Sequence, residues 1–566
     1  MKNKNLILFI FIALIAFSLR FYQLNKFPVA LNWDEISHGY NAYSLLQTGK
    51  DQWSSSWPIF NFRAYGDYPT TLNMYLSMPF IYLFGLNEWS IRIVSALCGF
   101  GLVIVAYFLG QEIFKNQKKS LLLMLLVALS PWTFFPSRGV FQSTVAQFFF
   151  SIGILFLIKA IKKIKFLPLG IFFFSLSTYA YHNTKIVVPI LLLIYFIFYF
   201  KGFKEKFFKH KKTFIISLLI LSVLIIPQII NTFNKDAQAR SRWVFVINPA
   251  SINVIENNRN TYQGNQLIAK LKYNRITLFT TTVAKNYLNF VNPRILFFNS
   301  TENFQFNIPK TGILYSVLLP FFYIGLINLF INSIKKNSPV KGRSSALQNR
   351  GVCSFLILWF LIGLAPAVVT VGDFPIIRAM TILPLPQIFI ALGLFKTIDF
   401  IKNQNLKKIF IILFLGILFI QSFKYFKNYF TDYTKNYSSS WQYGYKEVVS
   451  YIKENYNNYD QIIFTKKYGE AHEFVLFYWP WNPASYQNDP NLNWDFHSDW
   501  YWVNAFDKFK FINDWEIQKE TKDIDKKTLL ITSPDNYNKS SSTLIKTVYF
   551  LNQQPAFDIL TINDQK

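Results

Sequence analysis

Eleven apolar stretches of about 20 residues dominate this chain and restrict what it can fold into. A helix needs roughly 20 apolar residues to cross the hydrocarbon core of a bilayer, so each stretch predicts a spanning helix. The predicted spans are residues 6–24, 89–114, 120–136, 141–160, 166–181, 184–200, 213–230, 311–333, 352–371, 376–395 and 408–424. The sequence therefore predicts a polytopic α-helical membrane protein.

Basic residues follow every second predicted span. These loops comprise residues 115–119, 159–165, 201–212, 335–350 and 396–408. Short cytoplasmic loops hold the Lys and Arg excess of membrane proteins, so the net charge of +28 is interpreted as a topology signal and not as a nucleic-acid-binding surface. With eleven spans, the amino terminus is predicted to be cytoplasmic and the carboxyl terminus to lie outside the cytoplasmic membrane.

This topology leaves three long outer segments, namely residues 25–88, residues 231–310 and the region after about residue 425. The last of these is polar and rich in Asn, Tyr and Trp. A helix-like run at 445–454 and strand-like runs at 461–465 and from Leu529 and Leu544 predict a small extracytoplasmic α/β domain. We divide the chain into a transmembrane domain, 1–425, and a C-terminal domain, 426–566. The stretches 36–48 and 70–84 mix aromatic and polar residues, as interfacial helices do.

Two adjacent carboxylates, Asp34 and Glu35, follow the first span within about ten residues. Lipid headgroups are mostly anionic and would repel acids placed there, so the pair requires an explanation. Asp34 could be the N-cap of the helix that follows, or the pair could serve chemistry. Asp67 lies two residues before Pro69, where turns commonly carry an acid. The combination of the three acids in one outer segment favours a functional site.

Eight of the twelve arginines fall in or beside predicted outer loops, against the usual trend. Arg138 and Arg378 lie at tight helix ends near the membrane surface, where an unpaired charge is costly. A guanidinium matches phosphate oxygens well. Both are therefore predicted to contact a phosphate, with His182 and Lys185 of the YHNTK loop as further candidates.

Several motifs, taken in order, resemble a known class of enzyme. They are NWDEISHGYNAYSLLQTG at 32–49, FRAYGDYPTTLNMYL at 62–76, FGLNEWSIRIVSALCGFG at 84–101, SPWTFFPSRG at 130–139, YLNFVNPRILFFNSTENFQFNIPKTGILYSVLLPFFYIGL at 287–326 and APAVVTVGDFPIIRAMTILPLP at 365–386. The order resembles the lipid-linked glycosyltransferases of the membrane GT-C class. Within that class it is similar to the family of protein O-mannosyltransferases and bacterial aminoarabinose transferases.

The resemblance implies an inverting glycosyltransferase. An acceptor hydroxyl would attack the anomeric carbon of the sugar while the lipid phosphate leaves. Asp34 matches the general-base position, Glu35 is its neighbour, and Asp67 matches a second acid that orients the acceptor or helps hold a divalent ion. The implied partners are a polyprenyl-phosphate sugar donor, membrane lipids and a lipid, glycan or protein acceptor, with no nucleic acid.

A metal is left open by the sequence. Asp67 and His38 are the candidate ligands, but no cluster with clear ligand spacing is visible, and a lone histidine is more often a surface or capping residue. No other cofactor is expected.

Two other functions share the membrane composition. A lipid-linked sugar flippase or transporter would place ionisable residues inside its spans and often shows repeated halves, neither of which is found in the sequence. A surface polysaccharide polymerase would use similar donors. The acids after the first span favour the mannosyltransferase-like enzyme over both.

Overall fold

Long apolar helices form most of the computed structural model, which describes residues 3–234, 243–334, 350–522 and 524–562. Eight of the described helices are long and apolar enough to cross a bilayer. They are Asn3–Phe21, Glu88–Phe114, Gln142–Lys162, His182–Phe207, Lys211–Thr232, Ser316–Ile334, Gly351–Val368 and Gln404–Asn436. The helices Gln117–Leu129 and Pro131–Arg138, bent by 67° at their junction, would make a ninth. The predicted polytopic helical fold is confirmed.

The predicted number of eleven spans is not confirmed. At 166–181 and 376–395 the structure has the shorter helical segments Ile164–Tyr179 and Leu385–Phe400, each of 16 residues. At about 1.5 Å per residue each extends about 24 Å, less than a hydrocarbon core of roughly 30 Å. In the second case the helix starts late because the prolines at 384 and 386 suit a helix start and not a helix interior.

The remaining longer helices lie in the predicted outer segments. They are Trp33–Thr48, Leu72–Phe84, Pro249–Asn260, Gln266–Lys272 and Arg275–Asn289. The first two confirm that the stretches 36–48 and 70–84 are helical. Arg240 and Arg242, and the basic positions of the loop 335–349, lie outside the described residues.

The C-terminal region contains a seven-stranded mixed sheet. Its strands are β1 (Gln461–Thr465), β2 (Asn493–His497), β3 (Trp500–Phe506), β4 (Phe509–Ile512), β5 (Thr528–Thr532), β6 (Ser542–Tyr549) and β7 (Pro555–Ile562). They are ordered β2-β3-β4-β1-β5-β7-β6, with β1 parallel to β4 and β5 and the other pairs antiparallel. Helices Tyr445–Asn455 and Ala471–Tyr478 complete the predicted α/β domain.

The chain forms two compact units. The membrane unit comprises Met1–Tyr22, Ser95–Ser137 and Phe141–Tyr425, and the loop–sheet unit comprises Gln23–Val94, Arg138–Val140 and Phe426–Lys566. In the loop–sheet unit, Ile36 and Tyr40 of the first loop share one apolar core with Phe464, Phe474 and Phe477 of the C-terminal region. The first loop therefore folds with the C-terminal sheet domain.

Candidate functional site

The first turn of the helix Trp33–Thr48 presents Asp34 at the protein surface. Its N-cap is Asn32, whose side-chain oxygen accepts a hydrogen bond from the Glu35 N–H at 2.9 Å, while the Glu35 carboxylate accepts one from the Asn32 N–H at 3.2 Å. This reciprocal capping box uses the first and fourth residues of Asn-Trp-Asp-Glu. The explanation of Asp34 as the helix cap is therefore wrong.

Glu35 is buried and forms an ion pair with Arg92. The guanidinium of Arg92 donates to both carboxylate oxygens of Glu35, at 2.9 and 3.0 Å, and the Val140 N–H donates to one of them at 3.0 Å. Arg92 also donates to the Pro28 carbonyl oxygen at 2.8 Å. The side chains of Arg92 and Glu35 are 0% and 2% exposed, so of the two adjacent acids only Asp34 reaches the surface.

Asp67 is half-buried in a turn of the first loop. Its side chain accepts a hydrogen bond from the Tyr68 N–H at 2.8 Å. The Asp67 charge acts on the imidazole of His38, although burial is the larger effect and lowers the pKa of His38 to about 4. His38 is thus neutral near pH 7 and packs edge-on against Phe62, with ring centroids 5.0 Å apart.

His38 and Asp67 do not by themselves complete a metal site. Among the described residues, no group of three or more His, Cys, Asp or Glu side chains is arranged to hold an ion. His38 and Asp67 supply two ligands at most, one fewer than the three protein ligands usual in catalytic zinc sites.

Arg138 is fully buried in the loop–sheet unit. It donates to the carbonyl oxygens of Phe27 and Gln23, at 2.9 and 3.4 Å, and its guanidinium carbon lies 5.4 Å from the ring centre of Phe430. These contacts fix the start of the first loop. Its predicted phosphate contact would require the guanidinium to become accessible.

Three predicted phosphate-binding residues, His182, Lys185 and Arg378, lie in the membrane unit. His182 and Lys185 occupy the first turn of the helix His182–Phe207, and the side-chain amide of Asn183 donates to the Arg378 carbonyl oxygen at 2.6 Å. The side chains of Arg378, His182 and Lys185 are all partly exposed. The start of this helix is therefore in contact with the backbone of Arg378.

Buried indole groups hold the irregular backbone around Arg378. Trp132 donates to the Ile376 carbonyl oxygen at 3.1 Å, and Trp359 donates to the Thr381 carbonyl oxygen at 2.8 Å. Non-helical backbone in a membrane protein requires such partners, because lipid offers no hydrogen bonds. The position of Arg378 is consequently defined by its neighbours.

Comparison with known proteins identifies the class of the chain. Residues 70–230 match the model of the dolichyl-phosphate-mannose-protein mannosyltransferase family. The predicted class, a glycosyltransferase with a lipid-linked sugar donor, is confirmed. No curated protein sequence matches the transferase.

Solved structures with a weak likeness to the transferase include two of one protein. One is ArnT from Cupriavidus metallidurans bound to undecaprenyl phosphate, with a TM-score of 0.46 and 9% identity over 99% of this chain and 98% of that chain. The other is the same protein in the apo state, with a TM-score of 0.45 and 9% identity over 98% of this chain and 97% of that chain. A likeness this weak assigns neither a ligand nor a residue role.

Several polar residues of the transferase were not predicted from the sequence. Arg92 carried a signal, namely a charge near the start of a mostly apolar helix, but it was noted only as one letter of a motif. Asn183 lies inside the YHNTK loop but was not singled out. Glu470, His472 and Glu473 stand close together in the sequence, within Glu-Ala-His-Glu at 470–473, but they were not singled out either. They lie at the start of the helix Ala471–Tyr478.

This acidic group is buried in the loop–sheet unit. The His472 ring nitrogens lie 3.5 Å from a Glu470 oxygen and 3.9 Å from a Glu473 oxygen. Burial raises the pKa of Glu470 to about 7 and that of Glu473 to about 8, and it lowers the pKa of His472 to about 3. The Gln52 amide donates to Glu473 at 2.6 Å, and the Trp500 indole donates to Glu470 at 2.5 Å. Near neutral pH, therefore, the histidine is neutral and Glu473 is mostly protonated.

Replacing Glu473 by Gln should flatten the pH dependence of stability. The pKa of Glu473 rises from 4.5 to about 8 on folding, so its stabilising contribution is complete below about pH 4.5 and is lost as the pH rises through about 8. Thermal unfolding in detergent between pH 5 and pH 8 should show a falling midpoint for the native transferase and a smaller fall for Glu473→Gln. The exposed Glu454→Gln is the control, and equal slopes in all three proteins would contradict the assignment.

Proposed function

We propose that the transferase moves a sugar, with inversion, from a polyprenyl-phosphate donor to a hydroxyl group of a lipid, glycan or protein acceptor on the outer face of the cytoplasmic membrane. The observation that carries this proposal is the division of roles between two adjacent acids. Glu35 is buried in an ion pair with Arg92, while Asp34 is exposed on the same helical turn. The proposed topology has a cytoplasmic amino terminus and an extracytoplasmic domain at 426–566.

Asp34 is proposed as the general base. Its carboxylate accepts the proton of the acceptor hydroxyl as that oxygen forms a bond to the anomeric carbon. The bond between the anomeric carbon and the phosphate oxygen breaks, and its electron pair leaves with the polyprenyl phosphate. A positioned base of this kind contributes on the order of 10²- to 10⁴-fold to the rate.

The departing phosphate needs positive charge, since negative charge develops on its oxygen. Arg378, with His182 and Lys185, is proposed to supply it, because these side chains are partly exposed and the helix that begins at His182 contacts the Arg378 backbone. Arg138 is proposed to anchor the first loop, since it is buried among carbonyl oxygens. Asp67 is proposed to orient the acceptor.

The proposal is tested with purified transferase in detergent and radiolabelled sugars on polyprenyl phosphate. Transfer to an added acceptor, or slow hydrolysis of the donor, is the expected result. Movement of intact donor across a vesicle membrane, with its sugar–phosphate bond preserved, would instead identify a transporter. Growth of a repeating glycan chain on the lipid would identify a polymerase.

Arg378→Gln should weaken use of the donor. Losing one charged hydrogen bond to a phosphate is expected to raise the donor KM or lower kcat/KM by about tenfold or more. The matched control is Arg294→Gln, which removes an exposed arginine from the same unit. Equal kcat/KM values for the two variants would remove Arg378 from the donor site.

A further inference from the structure

We propose that the C-terminal domain is a positioning element of the active site, acting through Gln442 and Tyr65 on the backbone beside Asp34. The inference rests on the proposed role of Asp34 as the base. The C-terminal domain, whose fold alone indicates no function, would thereby help to position the base. All of the contacts that support it lie within the loop–sheet unit.

Trp33, the residue before Asp34, is bound at both of its backbone polar groups. Its N–H donates to the side-chain oxygen of Gln442 at 3.0 Å, and its carbonyl oxygen accepts from the Tyr65 hydroxyl at 2.6 Å. The first N–H groups of a helix have no partner within the helix, so Gln442 supplies one that the local sequence lacks. The two residues thereby fix the peptide groups on the amino-terminal side of Asp34.

The Trp33 ring is fixed as well. It lies against Gly469, where an added Cβ atom would come within 2.3 Å of the indole. Gly469 has a φ of +103°, which other residues rarely adopt. The Gln442 amide in turn donates to the Tyr468 carbonyl oxygen, so this loop of the C-terminal domain contacts both the ring and the backbone of Trp33.

Tyr65 is held by the β2–β3 hairpin. Its ring stacks on Trp500 with centroids 5.5 Å apart and planes 11° apart, and its carbonyl oxygen accepts from the Tyr501 N–H at 2.5 Å. The approach at the next residue is close, because a Cβ atom on Gly66 would lie 2.0 Å from the Asp499 carbonyl oxygen. The hairpin thus determines where the Tyr65 hydroxyl lies.

The same hairpin fixes the turn that carries Asp67. The hydroxyl groups of Tyr68 and Tyr501 lie 3.2 Å apart, and the Arg63 guanidinium carbon lies 4.5 Å from the Tyr501 ring centre. Both acids assigned to the acceptor side therefore depend on one hairpin of the C-terminal domain.

Asp34 is consequently held from both sides. Trp33 precedes it and is bound by the C-terminal domain, while Glu35 follows it and is bound by Arg92 and the Val140 N–H. Catalytic groups must be held within roughly 0.5 Å of their productive position. A displacement of about 1 Å can cost on the order of 100-fold in rate. An exposed base with two fixed neighbours meets this requirement without being buried itself.

The test compares Tyr65→Phe and Gln442→Leu with Tyr549→Phe, a control at a half-exposed tyrosine of the same unit. Tyr65→Phe keeps the ring that stacks on Trp500 and removes only the hydroxyl that binds Trp33. We expect kcat to fall about tenfold in both test variants, with the donor KM changed less than about twofold. Hydrogen exchange of the amides at 33–37 should become faster, and the control should match the native protein.

Unchanged kcat together with unchanged exchange at 33–37 in both variants would overturn the inference. The inference would also be overturned if total activity fell only because less protein was folded, with kcat per folded molecule unchanged. The exchange measurement does not require turnover. If the native chain transfers no sugar but exchange at 33–37 rises, the positioning contact stands and the proposed function fails.

Discussion

Asp34→Asn is expected to slow sugar transfer severely while leaving the fold intact. The substitution keeps the size of the side chain but removes the carboxylate that accepts the hydroxyl proton. A reduction of about 10²- to 10⁴-fold in kcat corresponds to the loss of one general base. Thermal stability should hardly change, because Asp34 is exposed and the helix is capped by Asn32 and Glu35.

The measurement is transfer of labelled sugar by native and variant proteins at equal folded concentration. Asp525→Asn is the matched control, because it removes an exposed carboxylate from the C-terminal domain of the same unit. A fully active Asp34→Asn would exclude Asp34 as the base. Loss of activity in Asp525→Asn as well would point to a general effect of charge and not to a specific base.

Local patterns in the sequence predicted those features that depend on neighbouring residues. Apolar length predicted the helices, and the run 461–465 predicted strand β1 with its observed limits. The capping box could also have been predicted from the sequence, because Glu35 follows Asn32 by three positions. Reading it would have shown in advance that Asp34 is not the cap.

Long-range contacts were beyond prediction from one sequence. Glu35 and Arg92 are 57 positions apart, and Trp33 and Gln442 are 409 positions apart, so no periodicity links them. The boundary at residue 425 likewise separated the first loop from the C-terminal region, whereas burial of Ile36 and Tyr40 joins them in one core. Hydrophobic burial does not depend on the order of segments in the chain, and only the folded structure shows which faces it joins.

The separate roles of Asp34 and Glu35 could be assigned only from the structure. The order of motifs placed Asp34 and Glu35 together at a catalytic position, and adjacent residues on a helix must point in different directions. Which one faces outward depends on Arg92, whose position follows from the packing of a separate helix, Glu88–Phe114. The adjacent pair therefore separates into an exposed acid and a buried ion pair.

Glu35→Gln is expected to show the opposite pattern to Asp34→Asn, namely a large loss of stability. Without the carboxylate, the buried Arg92 guanidinium loses its counter-charge and keeps only carbonyl partners, such as that of Pro28. Breaking a buried ion pair by removing one partner costs about 3–5 kcal/mol. Glu520→Gln is the contrasting control, because its pair with Lys510 is largely exposed and such pairs contribute about 1 kcal/mol or less. Unfolding of the purified proteins in detergent gives the free energies.

Glu35 could act only by stabilising Arg92, or it could contact the substrate directly. A double-mutant cycle with Arg92→Met separates these two roles. If Glu35 acts through Arg92, the double variant should be more stable than the sum of the single effects predicts, with a coupling of about 0.5–3 kcal/mol as seen for residues in contact. Its remaining activity per folded molecule should then match that of Arg92→Met, since Glu35 would have no further task. If Glu35→Gln stays stable and yet loses all transfer, Glu35 contacts the substrate itself, and both adjacent acids belong to the catalytic machinery.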